Sequence, residues 1–108
     1  MVQEEYLVSV VMATHNGSRF VSEAVQSVLK QTYRNFEFIV VDDASNDGVA
    51  DVVVGFGDLR IRIVRNETRK GLTKSLNRGI ALARGEFIAR IDDDDVWAGK
   101  DLVSGLDG

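Results

Sequence analysis

Apolar residues fill positions 7–13 almost without interruption and return at 36–41 as Phe-Glu-Phe-Ile-Val-Val, the pattern of strands buried on both faces. Between them, residues 18–31 carry Phe20, Val21, Ala24, Val25, Val28 and Leu29 at helical spacing, with Ser18 placed to cap the first turn. Strand, helix, strand is a βαβ unit. A short helix is expected after Asn46-Asp47-Gly48, and residues 60–64 then alternate polar and apolar like an edge strand. Leu72, Leu76, Ile80 and Ala83 mark a second long amphipathic helix. Phe87-Ile88-Ala89-Arg90-Ile91 reads as the fourth strand, and residues 100–106 as the start of a final helix.

Strands alternating with helices predict an α/β fold: an open, mostly parallel, Rossmann-like sheet with helices on both faces. Neither linker, repeat nor low-complexity stretch breaks the order, and proline is absent, so residues 1–108 read as a single domain. A polar segment follows each strand: Thr14-His15-Asn16-Gly17-Ser18, Asp42 to Asp47, Asn66 to Gly71, and Asp92 to Asp95. All four therefore gather at the carboxyl edge of the sheet. Ligands of open α/β sheets bind at that edge, where strand order reverses, which sets the first and fourth strands side by side in the order 3-2-1-4.

Composition narrows the function. The chain has 108 residues, 44% hydrophobic and 28% charged, values of a soluble globular domain able to bury about two-thirds of its unfolded surface. No apolar stretch approaches the roughly 20 residues of a membrane span, and no signal peptide is evident. With no cysteine there is neither a disulfide framework nor a thiolate site, which fits a cytoplasmic setting and leaves oxygen ligands for any metal. Net charge is −4, yet arginines and lysines crowd residues 60–90, where a local positive field could hold phosphates. Nucleic acid is disfavoured, because the domain is acidic and its few aromatics do not alternate with the basic residues.

Four consecutive aspartates, Asp92 to Asp95, concentrate negative charge where the fourth strand ends. Neighbouring carboxylates repel one another, and a divalent cation such as Mg²⁺ or Mn²⁺ would convert that repulsion into attraction. A solvated acidic turn is the plainer alternative. Residues two apart in an extended segment project to one side, so an acid pair at that spacing suits a shared ion.

The runs Val10-Val11-Met12-Ala13-Thr14-His15-Asn16-Gly17 and Gln31 to Gly48, the latter containing Val40-Val41-Asp42-Asp43-Ala44-Ser45, resemble family 2 glycosyltransferases of the GT-A fold. Asn66, Gly71-Leu72, Asn77-Arg78-Gly79, Ala83 to Ala89 and Ile91 to Asp95 continue the likeness in order. The resemblance implies a nucleotide-diphospho-sugar donor, usually a uridine diphosphate sugar, and inverting transfer to a hydroxyl acceptor. It makes Asp43 the acceptor for the uracil imino proton and leaves Asp42 structural. Ala13 and Thr14 fall where backbone or hydroxyl touches base and ribose. Asn16 belongs to the same nucleotide-binding loop, where its own chemistry favours shaping the turn, and His15 is a loop contact. Lys74, with Lys70 and Arg78, would add positive charge near the phosphates, against the plainer reading of a solvated helix face. The Asp-x-Asp motif falls on Asp92-Asp93-Asp94: Asp94 and Asp92 are the expected metal ligands, and Asp92 and Asp93 also reach toward ribose or metal-bound water. Four identical residues let the motif slide by one, which keeps Asp95 open as a ligand. Trp97 reads as core more than as pocket wall.

Relatives of this kind continue beyond such a segment into acceptor-binding surface and the general base, so the chain reads as a donor half, truncated relative to the full family domain. Ala98-Gly99-Lys100-Asp101 departs from the family pattern after the tryptophan. Two consequences are expected: little or no transfer by the isolated chain, and self-association, as a homodimer, through an uncovered strand edge. A non-catalytic nucleotide-binding or interaction module is the competing reading. A phospho-acceptor signalling domain is disfavoured, because Thr14-His15-Asn16 stands where its acid pair would close the first strand.

Overall fold

The computed structural model describes residues 6–97. Seven elements follow in order: β1 (Val8–Thr14), α1 (Val21–Leu29), β2 (Phe36–Asp43), α2 (Val49–Val54), β3 (Ile61–Asn66), α3 (Leu72–Leu82) and β4 (Phe87–Arg90). All pairings are parallel and the sheet order is β3-β2-β1-β4, as the strand and helix pattern predicts.

Side chains alternate across a strand, so each inner strand serves two cores. Val8, Val10 and Met12 of β1 face one side with Phe36, Phe38 and Val40 of β2, where Val21, Ala24, Val25 and Val28 of α1 and Val49 and Val53 of α2 cover them. Val11 and Ala13 face the other side, where Leu76 of α3 meets them. That second layer is thin because α3 lies close to the sheet: a Cβ on Gly79 would stand 2.5 Å from a Val11 methyl.

Several local expectations are corrected. Ser18 does not cap α1; the helix starts at Val21 with Phe20 at the N-cap and no side-chain cap bond, and Ser18 instead belongs to the preceding loop, where its main-chain N–H donates to Asp47 Oδ2 at 2.9 Å. Phe20, expected on the buried face, is exposed beside the Arg19 guanidinium. On α3, Leu72 and Ile80 are also exposed, and the packing face is Ser75, Leu76 and Gly79, because close helix-to-sheet approach admits only small neighbours around one leucine. Residues 92–95 are not extended: the Asp95 N–H donates to the Asp92 carbonyl at 3.0 Å and closes a turn. The fourth strand ends at Arg90, one residue short, with Ile91 buried beneath the turn. Trp97 packs partly against the main core, and its main-chain N–H donates to Ser27 Oγ at 3.0 Å. The expected final helix lies outside the described residues.

Candidate functional site

Register brings the site together. Thr14 pairs with Asp42 and Asp43 with Asn66, while Val11 pairs with Arg90, so the segment after β4 emerges beside the end of β1. There the buried Thr14 hydroxyl donates to Asp93 Oδ2 at 2.7 Å. Gly17 lies over that bond without room for a side chain, since a Cβ would fall 2.4 Å from both oxygen atoms.

The loops after β1 and β2 are laced to each other. Asn16 sits in the left-handed region at φ 54°, its N–H donates to Ser45 Oγ at 2.8 Å, and its Oδ1 accepts the Asn46 N–H at 2.9 Å. The His15 ring lies 2.7 Å from the Asp43 carbonyl through Nδ1 and 3.2 Å from Asn16 Nδ2 through Nε2. This arrangement requires the proton on Nδ1, because a carbonyl only accepts. Asn16 and His15 therefore shape and brace the loop. Across the loop, Asp47 Oδ2 accepts the Ser18 N–H, and that bond is the main cause holding the Asp47 carboxyl below its ordinary pKa.

The two acids closing β2 point to opposite faces. Asp42, buried, pairs with Arg65 at 2.7 Å and accepts the Ser45 N–H at 3.0 Å, which gives it the structural role expected of it. Asp43 turns toward α3. Its Oδ1 accepts from Asn66 Nδ2 at 2.9 Å and the Lys70 N–H at 2.8 Å, and its Oδ2 accepts the Gly71 N–H at 2.9 Å. Burial pushes the Asp43 pKa upward, yet hydrogen bonds from Lys70, Asn66, Gly71 and Ser75 together outweigh it and hold the carboxyl below its ordinary value. Arg78 closes the network by donating to Asn66 Oδ1 at 2.7 Å.

Lys74 stands apart from the acidic turn. With Lys70, Arg65 and Arg78 it lines a basic cleft of about 610 Å³ at the β3 end of the carboxyl edge, whereas the turn lies at the β4 end. Ala13 is buried against Val11 and Leu76, leaving its backbone for any ligand contact. Sequence reasoning passed over Asn66 and Ser75 as supports of Asp43, and Gly17 as the spacer over Thr14; the glycine between two polar loop residues was the one available signal.

Within the acidic turn the four carboxylates differ. Asp92 pairs with Arg90 at 3.1 Å, Asp93 accepts from Thr14, and Asp95 Oδ1 accepts the Val96 N–H at 3.2 Å. Asp94 is exposed and has no partner among the described residues. No three acidic or imidazole groups converge into a metal-sized cluster among those residues. Mg²⁺ and ions like it need only one or two carboxylates when phosphates complete the shell, and hard oxygen donors of this kind fit such an ion.

Comparison with known proteins identifies the family. The profile of Glycosyl transferase family 2 matches residues 9–106. The Escherichia coli UDP-Glc:alpha-D-GlcNAc-diphosphoundecaprenol beta-1,3-glucosyltransferase WfgD is 41% identical over 99 residues, covering 92% of this chain and 39% of that protein. Glycosyltransferase GlyG of Streptococcus pneumoniae is 39% identical over 92 residues, covering 83% of this chain and 31% of that protein. Among solved structures, S. aureus TarS in complex with UDP superposes with a TM-score of 0.83 at 30% identity, over 91% of this chain and 30% of that one. The mannosyltransferase PcManGT of Pyrobaculum calidifontis, in complex with GDP-Man and Mn²⁺, gives 0.81 at 29% identity, over 89% of this chain and 30% of that one. The chain spans well under half the length of these relatives. With its four-stranded parallel sheet in the order 3-2-1-4, the chain belongs to glycosyl transferase family 2 and has the GT-A fold of its amino-terminal region.

Proposed function

We propose that this chain is the donor-binding half of an inverting sugar transferase and takes a uridine diphosphate sugar, with Mn²⁺ or Mg²⁺, along the carboxyl edge of its sheet. The observation that carries this reading is the Thr14–Asp93 hydrogen bond, which fastens an acidic turn to the end of β1 one strand away from the Asp43 network. Adjacent strands lie about 4.8 Å apart. A nucleoside and its diphosphate are long enough to reach from the β2–β3 end, where a base would meet Asp43, to the β1–β4 end, where phosphates would meet the turn.

In this reading Asp43 accepts an N–H from the base, because an ionised carboxylate can only accept. Ala13, Thr14 and Asn16 form the floor under base and ribose, and Asp92 and Asp93 stand on its ribose side. Asp94, with Asp92 beside it, holds the metal, which supplies Lewis-acid neutralisation of the leaving diphosphate when bound. Lys74 adds positive charge from the basic cleft. The acceptor is a hydroxyl compound. The 108-residue chain by itself is expected to bind donor without turning it over, in keeping with its coverage of 39% of the E. coli relative.

Calorimetric titration of the native chain and Asp94→Asn with UDP and with GDP, each with and without Mn²⁺, tests the reading. Binding of UDP that requires Mn²⁺ and weakens about tenfold or more in the variant is the expected result. No binding at millimolar UDP would overturn it and favour a module that keeps the fold for interaction; preference for GDP would overturn the choice of nucleotide.

A further inference from the structure

We infer that Thr14 is a positioning residue whose hydroxyl pins Asp93 and so selects Asp94, out of four chemically identical neighbours, as the carboxylate left free for a cation. Run order cannot make that choice, since sliding the turn by one residue would present Asp93 or Asp95 equally well. Three contacts fix it instead. Ile91 is buried under the sheet end, the Asp95 N–H closes the turn on the Asp92 carbonyl at 3.0 Å, and Thr14 Oγ1 donates to Asp93 Oδ2 at 2.7 Å. Asp92 meets Arg90 through Oδ1 alone, which leaves Oδ2 for a bond beside Asp94, Asp95 is bonded to the Val96 N–H, and Asp94 is the carboxylate without a partner among the described residues.

Thr14 is suited to the task. It is buried, it closes the central strand β1, and branching at Cβ restricts its χ1, so its hydroxyl has a defined direction. Gly17 supplies independent support. Its backbone is outside the left-handed region, so conformation does not demand glycine there. Space does: a Cβ would lie 2.4 Å from Thr14 Oγ1 and 2.4 Å from Asp93 Oδ2, on top of the bond itself. The position is kept bare for the Thr14–Asp93 contact.

The inference rests on the donor reading for what the free carboxylate holds, and on geometry for how the turn is held. Two measurements on Thr14→Val, Thr14→Ser and Gly17→Ala separate these. In the ligand-free chain, NMR follows amide shifts over residues 92–95 and hydrogen exchange at Asp95; with UDP present, paramagnetic line broadening gives the Mn²⁺ requirement. Thr14→Val, which keeps the shape and loses the hydroxyl, and Gly17→Ala should shift the turn amides, expose the Asp95 N–H and raise the Mn²⁺ requirement about tenfold. Thr14→Ser should restore both readouts, which a purely packing role for Thr14 would not allow. Native turn amides or native Mn²⁺ affinity in Thr14→Val, or a Thr14→Ser chain that behaves like Thr14→Val, would overturn the inference. If the native chain takes up no Mn²⁺ with UDP, the donor reading falls, while the amide comparison still decides whether Thr14 positions the turn.

Discussion

Asp43 Oδ2 accepts the main-chain N–H of Gly71 at 2.9 Å, so an acid at the end of one strand fixes the loop that follows the next. Lys70 N–H and Asn66 Nδ2 bond Oδ1, and the Ser75 hydroxyl adds to the hydrogen bonding of this carboxylate. Its exposure is 3%, so nearly all of its hydrogen bonding is turned to the protein. In the proposed donor reading, the side chain that holds this loop is also the one that meets the base.

That sharing has a pH signature. The Asp43 carboxyl is held below its ordinary pKa in the folded chain, so its stabilisation is complete above the unfolded value near 4 and is lost as pH falls through the folded value. Asp43→Asn places an amide against two main-chain N–H donors and should cost about 2–3 kcal/mol near neutral pH. Urea melts from pH 6 down to the acid limit should show the gap between native and variant narrowing below about pH 4. Asp47 and Asp58, also held low by their hydrogen bonds, titrate in both chains and cancel in the difference. A gap that stays constant with pH would sink the argument.

The inner strands were legible because Val, Ile and Phe runs admit little besides a strand covered on both faces, and their order followed from where the polar segments collect. Helix starts were less legible. Ser18 has the chemistry of a cap, but the helix starts three residues later at Val21, and the Ser18 main-chain N–H is tied to a carboxylate 29 residues away. Leu72 and Ile80 look like core by period, yet the small residues Ser75 and Gly79 face the sheet. The site followed the same divide: acids at strand ends were visible as charge, whereas the Thr14–Asp93 and Asp43–Asn66 bonds join residues 79 and 23 positions apart and need the fold to be seen.

Gly79 offers a test of the close α3 approach. A Cβ there would stand 2.5 Å from Val11 Cγ1 and 3.3 Å from Val41 Cγ2, and both methyls belong to central strands that cannot retreat. Alanine favours helix over glycine by about 1 kcal/mol, but overpacking of this kind costs about 1–3 kcal/mol, so Gly79→Ala should be destabilising on balance. A urea midpoint at or above native would show that the helix can move away.

Asn16 tests the lacing of the first two loops. Its left-handed φ of 54° suits asparagine or glycine, and its amide carbonyl and main-chain N–H each hold the loop after β2. Asn16→Gly keeps the backbone and loses the bond from the Asn46 N–H together with the exposed contact to His15 Nε2, for a cost of about 1 kcal/mol. Asn16→Val loses the same two contacts and forces a branched side chain into a left-handed conformation, for about 2–3 kcal/mol. Equal denaturation midpoints for the two variants would mean that the backbone there relaxes without penalty.

The last prediction concerns the rim of the sheet. β4 pairs with β1 on one side only among the described residues, and it leaves Phe87 at 46% and Ile88 at 43% exposure. Tyr6 covers Phe87 edge-to-face at 5.7 Å, which shields one ring and leaves Ile88 and the strand's outward N–H and C=O groups to solvent. Unpaired edges with apolar side chains recruit another strand, and the four residues of β4 carry a single charge, Arg90, at the end. The 108-residue chain should therefore dimerise at micromolar concentration, and Ile88→Lys, which sets a charge in the middle of the edge, should return it to a monomer by light scattering. A native chain that scatters as a monomer would mean that Tyr6 and the short length of β4 protect the edge sufficiently by themselves.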